Sequence, residues 1–583
     1  MQPVDFTTLK AICAELRSHW LPARLEQVYQ RDRHTLALGL RTLDQRGWLT
    51  VSWHPQAARL CMDVPPPRTP DTFTFSQQLR HQLNGLALVS IEAIAPWERA
   101  LDLQFARRPG DPPLWHLYVE VMNKYSNVVL ATADQQIVTV AHQVNAQQSR
   151  VRPLLTGQPY EVPPALTETM PRLDEPFEVW HERVSLVPIP LRRALLQNYR
   201  GLSSALIRAM GDRAQLDPEL PTNQVGDCQW QRLFQVWQDW LTSLESEAFS
   251  PGWTADGYTV MGWGAIAPAD TVQGVVADYY RGHLNRQEFD QLRHQLTQRL
   301  ETLLRKLYLK RDDFQLRLTQ SDQADQFKDR ADLLMANLHE WKAGMTAIQL
   351  ADFTTGEPVT IALNPEKNAV QNAQAAYKKH QKLRRSRLAI EPLLAEVLAE
   401  VSYLEQVQVA IAQSPSYADP SDLEALTEIR DELMQQGYLA ADTARIRPTT
   451  EPSTPFRQYH TPSGFEVWVG RNNRQNDHLT FRVATDYDLW FHSQEIPGSH
   501  VLLRLPAGSA PDEADLHYTA NIAAYHSRAT QSDQVPVVYT APRYVFKPKG
   551  AKPGMALYKH ETVIWGEPQR VREALASPTS STL

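Results

Sequence analysis

Cysteine is nearly missing from this chain of 583 residues: Cys13, Cys61 and Cys228 stand far apart, with no C-x-x-C pair. That scarcity excludes a cysteine zinc cluster and leaves little material for a disulfide framework, so a reducing compartment is expected. Long apolar runs are missing too. Nothing approaches the roughly 20 consecutive apolar residues of a membrane-spanning helix. The N-terminal MQPVDFTTLKAICAEL carries charge and helical patterning where a leader would have an apolar core, and a cytoplasmic protein without membrane contact is expected. Strong net charge is also lacking. A formal charge of −7 and a pI near 6.2 argue against a protein that coats nucleic acid, so any RNA contact must come from local patches. There is no Walker phosphate loop and no Ser/His/Asp nucleophile set. Asp488, His492 and His500 are weighed as metal ligands and set aside, so no enzyme activity, cofactor or metal is expected.

What is present is size and pattern. With 42% hydrophobic residues the chain can bury several cores, and its length predicts roughly three to five domains. Asp5 precedes Leu9, Ile12, Cys13 and Leu16 at helical spacing. Strand-like runs follow at Thr35–Leu40, Trp48–Trp53, Leu88–Ile94, Ala100–Phe105, Leu114–Met122 and Asn127–Thr132, with a helix over Phe75–Leu83. This is a mixed α/β domain over 1–170. Pro190–Met210 reads as two amphipathic helices broken at Gly201-Leu202-Ser203, a helix-hairpin-helix or an ordinary helix corner within a helical domain at 175–275.

Beyond Tyr280 the period changes. Phe289, Leu292, Leu296, Leu300, Leu303 and Leu307 form one seam. Leu393, Val397, Val401, Leu404 and Ile411, then Leu423, Leu426, Ile429 and Leu433, form a returning one. The two predict a long antiparallel coiled coil over 280–440. Between its arms, Ala331–Asn337 and Leu350–Pro365 are expected to interrupt the helices with a β-ribbon. Lys367–Ile390 holds no acidic residue while Lys378, Lys379, Lys382, Arg384, Arg385 and Arg387 cluster within it. Such a run is either a solvated face or a phosphate-binding one, and the lack of counterions favours phosphate. Thr443–Pro455 reads as a linker, and 571–583 as a disordered tail.

The C-terminal stretch, 451–570, is the most distinctive. Phe465, Val467 and Val469 alternate as a half-buried strand, and Gly470-Arg471-Asn472-Asn473 follows as a donor-rich turn expected to be exposed. Asp488, Trp490 and His492 share one strand face, with Trp490 expected in the core and His492 toward a ligand. IPGSHV adds Ser499 and His500. In VFKPKGAKPGM, Lys547, Lys549 and Lys552 suit a phosphate backbone without base selectivity.

In this order, SGFEVWVGRNNRQND, YDLWFH and IPGSHV resemble the RNA-binding domain of the NFACT family, and the resemblance extends over nearly the whole chain. It implies a multidomain α+β protein: an N-terminal glycosylase-like mixed α/β domain, a helix-hairpin-helix segment, a coiled coil and a C-terminal α+β domain. It also implies ribosome quality control. Such a protein holds a stalled large ribosomal subunit carrying peptidyl-tRNA and recruits alanyl-tRNA for template-free alanine tailing, with a small RNA-binding helper protein of the RqcP type as a possible partner. The tRNA contacts it implies are Asp5, Glu98, Arg99, Ser126, Asn127, Arg471, Asn472, Asp488, His492, Ser499 and His500. Ribosomal RNA falls to the basic run in 378–387 and to the three lysines of 547–552. Two departures stand out: Glu98-Arg99 replaces an Asp-Arg pair on the strand after the helix, and Asn123-Lys124-Tyr125 replaces Gly-Arg-His before Ser126-Asn127. The rival readings are a fibronectin-binding surface adhesin and a DNA glycosylase-like repair protein. The glycosylase chemistry needs an N-terminal proline amine, whereas here Gln2 precedes Pro3.

Overall fold

The computed structural model describes all residues except 68–69, 146, 148, 150–151, 165–168, 441–454 and 577–583. Most of the expected linker at 443–455 therefore lies outside the described residues. The chain divides into two compact units, Met1–Asn285 and Arg286–Leu583.

In the first unit Asp5 N-caps helix α1 (Phe6–Trp20), its Oδ1 accepting from Thr8 N at 2.8 Å. The apolar stripe of α1, Leu9, Ile12, Cys13 and Leu16, is buried against an antiparallel sheet. Its strands are β1 (Ala23–Asp32), β2 (Thr35–Arg41), β3 (Arg46–Ser52), β4 (Arg59–Asp63), β5 (Ala87–Ala93), β6 (Ala100–Ala106), β7 (Trp115–Glu120), β8 (Asn127–Thr132) and β9 (Ile137–Val140). They lie in the order β4-β3-β2-β1-β5-β6-β7-β8-β9. Helix α2 (Thr74–Leu83) separates β4 from β5. The expected strands are found. β1, β4 and β9 were not expected, because ARLEQVYQRD is largely polar and the other two are short.

A helical group follows: α3 (Phe177–Ser185), α4 (Leu191–Asn198), α5 (Ser204–Ala214) and α6 (Asp227–Ser246), closed around Trp180, Trp237 and Trp240. Helices α4 and α5 are the expected hairpin. Its Gly201 has φ +76°, and a Cβ there would stand 2.5 Å from the Trp97 ring, so the turn requires glycine twice over. The short strands β10 (Gly252–Trp253), β11 (Tyr258–Thr259) and β12 (Ala267–Pro268) lead into α7 (Val272–Ser321), which begins in the first unit and ends in the second.

In the second unit α7 is followed by α8 (Ala324–Ala336), a ribbon of β13 (Ala347–Ala351) and β14 (Pro358–Ala362), α9 (Ala369–Ala412) and α10 (Pro420–Gln435). Partners run in opposite senses, Tyr308 with Glu405 and Arg387 with Asp322, so α7 and α9 are antiparallel. The seam is as expected except that Leu393 is exposed and Leu304 and Val407 are buried in it. Ala331–Ala336 is helical rather than an interruption, because Leu333 and Leu334 cover the ribbon's Ile348 and Ile361.

The C-terminal part is a second antiparallel sheet, β15 (Arg457–His460), β16 (Glu466–Val469), β17 (Leu489–Ser493), β18 (Val501–Leu503), β19 (Val535–Thr540) and β22 (Thr562–Gly566), in the order β15-β16-β18-β17-β19-β22. A small ribbon, β20 (Val545–Phe546) with β21 (Leu557–Tyr558), lies between β19 and β22 in the chain. One sheet face, with Val467, Phe491 and Val537, packs on α12 (Glu513–Tyr525). The other, with Trp490, Leu502 and Val538, is covered by α11 (Asn473–His478), the π-helical turn Leu479–Val483 and the ribbon. Val571, expected in a structureless tail, is buried in α13 (Pro568–Ala576). Residues 577–583 lie outside the described ones.

Candidate RNA-binding site

Glu98 and Arg99 lie on the turn joining β5 to β6 rather than on a strand. Trp97 bends that turn with φ +63° and packs on Phe6 and Trp240 at 4.7 and 5.5 Å. The Glu98 carboxylate faces Arg200 of the α4–α5 hairpin at 3.8 Å, so its ionic partner is not the adjacent Arg99. Arg99 Nη1 instead donates to Val4 O at 3.3 Å, beside Asp5, whose Oδ2 accepts from Ser203 Oγ at 2.6 Å. Burial lowers the Arg99 pKa against the opposing pull of Asp5 and then Glu98. Burial raises that of Glu98, opposed by Arg200 and then Arg99. These groups line a cleft of about 1280 Å³ together with Asn123, Arg208, Arg213 and Trp263. Three elements distant in sequence meet here, and guanidinium forks beside carboxylates offer donors and acceptors to a base edge and charge to a phosphate. Arg200, Ser203 and Asn123 were missed because only the fold brings them to Glu98.

Ser126 and Asn127 are brought near but turned inward. Ser126 Oγ accepts from Met122 N at 2.8 Å and donates to Asn123 O at 2.7 Å. Asn127 Oδ1 accepts from Val128 N and His142 N, and its Nδ2 donates to His142 O. Both side chains are buried, Ser126 spent on the turn Asn123–Tyr125 and Asn127 on tying β8 to His142, so the expected RNA contact through them finds no outward atom. The outward residues are Asn123, Lys124 and Tyr125, the last 71% exposed.

In α9 all six cations of the 378–387 run are exposed. The expected lack of counterions is corrected in part. Arg387 pairs with Asp322 and Glu391, each at 2.7 Å, and Lys379 lies over the Phe327 ring. Lys378, Lys382, Arg384 and Arg385 make no ion pair among the described residues.

The C-terminal motif differs most from expectation. Asn472, 1% exposed, N-caps α11 and donates to Glu428 at 2.7 Å; Arg471 pairs with Asp422 at 3.4 Å; Asn473 donates to Glu432 and Arg474 to Gln435. Four consecutive side chains thus engage one face of α10. The turn is a clasp between the coiled-coil base and the sheet, not an exposed loop. Asp488 is buried, accepting from Leu505 N and Thr485 N, and Ser499 Oγ donates to Gly470 O. His492 and His500 lie beside Trp490 at 5.7 and 5.1 Å, and His500 Nδ1 is hydrogen-bonded to Thr480 Oγ1 at 2.7 Å. Burial pushes His492 down to about 4, and burial with His492 alongside pushes His500 down to about 3. Both stay neutral near pH 7; His500 is buried in the core and His492 is half-buried at its edge. Trp490 is 1% exposed, as expected of a core residue. Lys547, though exposed, pairs with Asp477 and Lys552 sits over Tyr403 and Tyr438, leaving Lys549 the lysine of the three with no ion pair or ring contact among the described residues.

Among the described residues no group of three or more His, Cys, Asp or Glu is placed to hold a metal ion, and no helix is long and apolar enough to cross a membrane.

A multidomain α+β chain with this C-terminal sheet is matched by two family models, NFACT N-terminal and middle domains over residues 5–451 and NFACT protein RNA binding domain over 455–559. The chain belongs to the NFACT family. It is 29% identical to the Rqc2 homolog RqcH of Bacillus subtilis (strain 168) over 573 residues, covering 95% of this chain and 96% of that one. The Rqc2 homolog RqcH of Streptococcus pneumoniae serotype 2 (strain D39 / NCTC 7466) is likewise 29% identical over 561 residues, with the same coverage. Among solved structures, the C-terminal part of the fibronectin/fibrinogen-binding protein from Streptococcus suis aligns over 49% of this chain and 98% of its own, at 27% identity and a TM-score of 0.37.

Proposed function

We propose that this protein is a cytoplasmic ribosome quality-control factor that binds an obstructed large ribosomal subunit carrying peptidyl-tRNA and recruits alanyl-tRNA for template-free alanine tailing. The observation that carries this reading is the near full-length similarity to relatives named Rqc2 homolog RqcH, joined to a matched RNA-binding domain. Two surfaces supply the contacts. The cleft of Asp5, Glu98, Arg99 and Arg200 takes tRNA, where the arginine forks meet phosphate or a base and Glu98 accepts from a base edge or ribose. The exposed cations of α9 take ribosomal RNA as point charges. The chain itself forms no bond: peptide transfer remains with the ribosome, and the protein contributes by holding its substrates together.

The test is Arg99→Ala in the full chain. It is expected to abolish tRNA recruitment while large-subunit association stays nearly intact, because the subunit contact lies on α9. Wild-type alanine tailing in this variant contradicts the assignment.

A further inference from the structure

We propose that the outer face of the β20–β21 ribbon is a stacking platform for unpaired RNA bases, built on Phe546 together with the half-buried Tyr544 of the 3-10 turn Pro542–Tyr544 that leads into it; the proposal rests on the RNA-binding reading of this domain. Strand alternation divides the ribbon's side chains. Val545 and Tyr558 point inward, Val545 buried and Tyr558 5.7 Å from Trp490. The cross-strand pair Phe546 and Leu557 points out, 40% and 53% exposed. This half-exposed pair is tied to the sheet by hydrogen bonds on either side. Thr540 Oγ1 donates to Lys559 O at 3.0 Å and Lys559 N donates to Tyr544 O at 3.1 Å.

Charge decides the occupant. From Gln534 to His560 there is no Asp or Glu, while Arg543, Lys547, Lys549, Lys552 and Lys559 fall in that span; Glu561 is the next carboxylate. Lys547 and Lys552 are engaged by α11 and the coiled-coil base, which leaves Arg543, Lys549 and Lys559 without an ion pair among the described residues, two of them against the rings. Each ring already carries a cation: Lys559 lies 5.4 Å from the Phe546 centroid and Arg543 5.0 Å from that of Tyr544, with His560 edge-on to Tyr544 at 4.7 Å. Aromatic faces interleaved with cations suit a base and its phosphate together. A protein partner would meet this much charge at an interface centre, where charge is disfavoured. A duplex hides its base faces, so the platform takes single strands.

The experiment is fluorescence anisotropy of the full chain with a single-stranded oligouridine and with a blunt RNA duplex of equal length, alongside thermal melts. Wild type is expected to prefer the single strand. Phe546→Leu and Tyr544→Leu, which keep apolar bulk but lose the ring, are each expected to weaken single-strand binding roughly five-fold or more. Duplex binding and melting should be unchanged, and Phe546→Trp should retain affinity. Single-strand affinity unchanged in both leucine variants, with wild type still binding RNA, overturns the platform and leaves the RNA-binding reading standing. Failure of wild type to bind either RNA overturns both.

Discussion

Arg471 and Trp490 show how one motif's side chains divide between surface and core. As an exposed turn residue Arg471 would be replaceable within about 0.5 kcal/mol. Its guanidinium is instead mostly buried against Asp422, a carboxylate that also accepts from Ala418 N. Arg471→Ala therefore leaves that carboxylate short of a partner and is expected to cost about 1–3 kcal/mol by denaturant melts. Trp490 donates from Nε1 to Thr480 Oγ1 at 3.1 Å inside the second face of the sheet. Trp490→Ala is expected to cost about 3–5 kcal/mol and unfold the C-terminal sheet. A folded variant with reduced RNA affinity would instead mark Trp490 as a stacking surface. At the cleft, Glu98→Asp keeps a carboxylate acceptor on the side of Arg200 and is expected to sustain tRNA recruitment, measured by co-purified tRNA.

At the scale of elements, pattern makes the long helices and the interior strands legible, because burial repeats every third or fourth residue along a helix, while strands such as β2, β6 and β8 are buried on both faces and read as short apolar runs. Leu296, Leu300, Val397 and Val401 were readable for that reason. Strand β1 is not, since polar residues separate its core positions Leu25 and Val28 and one of them, Gln30, is itself buried. The sites were half legible. Glu98 and Arg99 are legible only through the family resemblance and the α9 run through its one-signed charge, whereas Ser126, Asn127 and Asn472 read equally as ligand groups and as caps, and in the structure each satisfies backbone donors nearby. A polar side chain at a turn serves either purpose, and only the hydrogen-bond geometry separates them. On α9, replacing Lys378, Lys379, Lys382, Arg384 and Arg385 with glutamine is expected to weaken subunit binding and to lower the salt slope by roughly one unit for each phosphate no longer neutralised. An unchanged slope in cosedimentation returns the run to solvated surface.

Across the whole molecule, the proposed function draws on a cleft in the first unit and on a basic helix with a clasped RNA-binding sheet in the second. The sheet carries a pH limit. His500 is neutral when folded, with its pKa pushed down to about 3 by burial and by His492, while Thr480 and Asn476 hold it and Lys547 adds positive charge nearby. A group depressed on folding stabilises fully above its unfolded value near 6.5 and loses that contribution as pH falls toward 3. The expected loss is on the order of 2 kcal/mol by pH 5 from this side chain, read from melts between pH 7 and 4. The central claim, that the chain serves obstructed large subunits through tRNA, is tested most directly by crosslinking it in cells with stalled translation and sequencing the attached RNA. Large-subunit ribosomal RNA together with alanine-accepting tRNA is the predicted result, with the tRNA missing from Arg99→Ala. Recovery of neither RNA above background from the wild-type protein would contradict it.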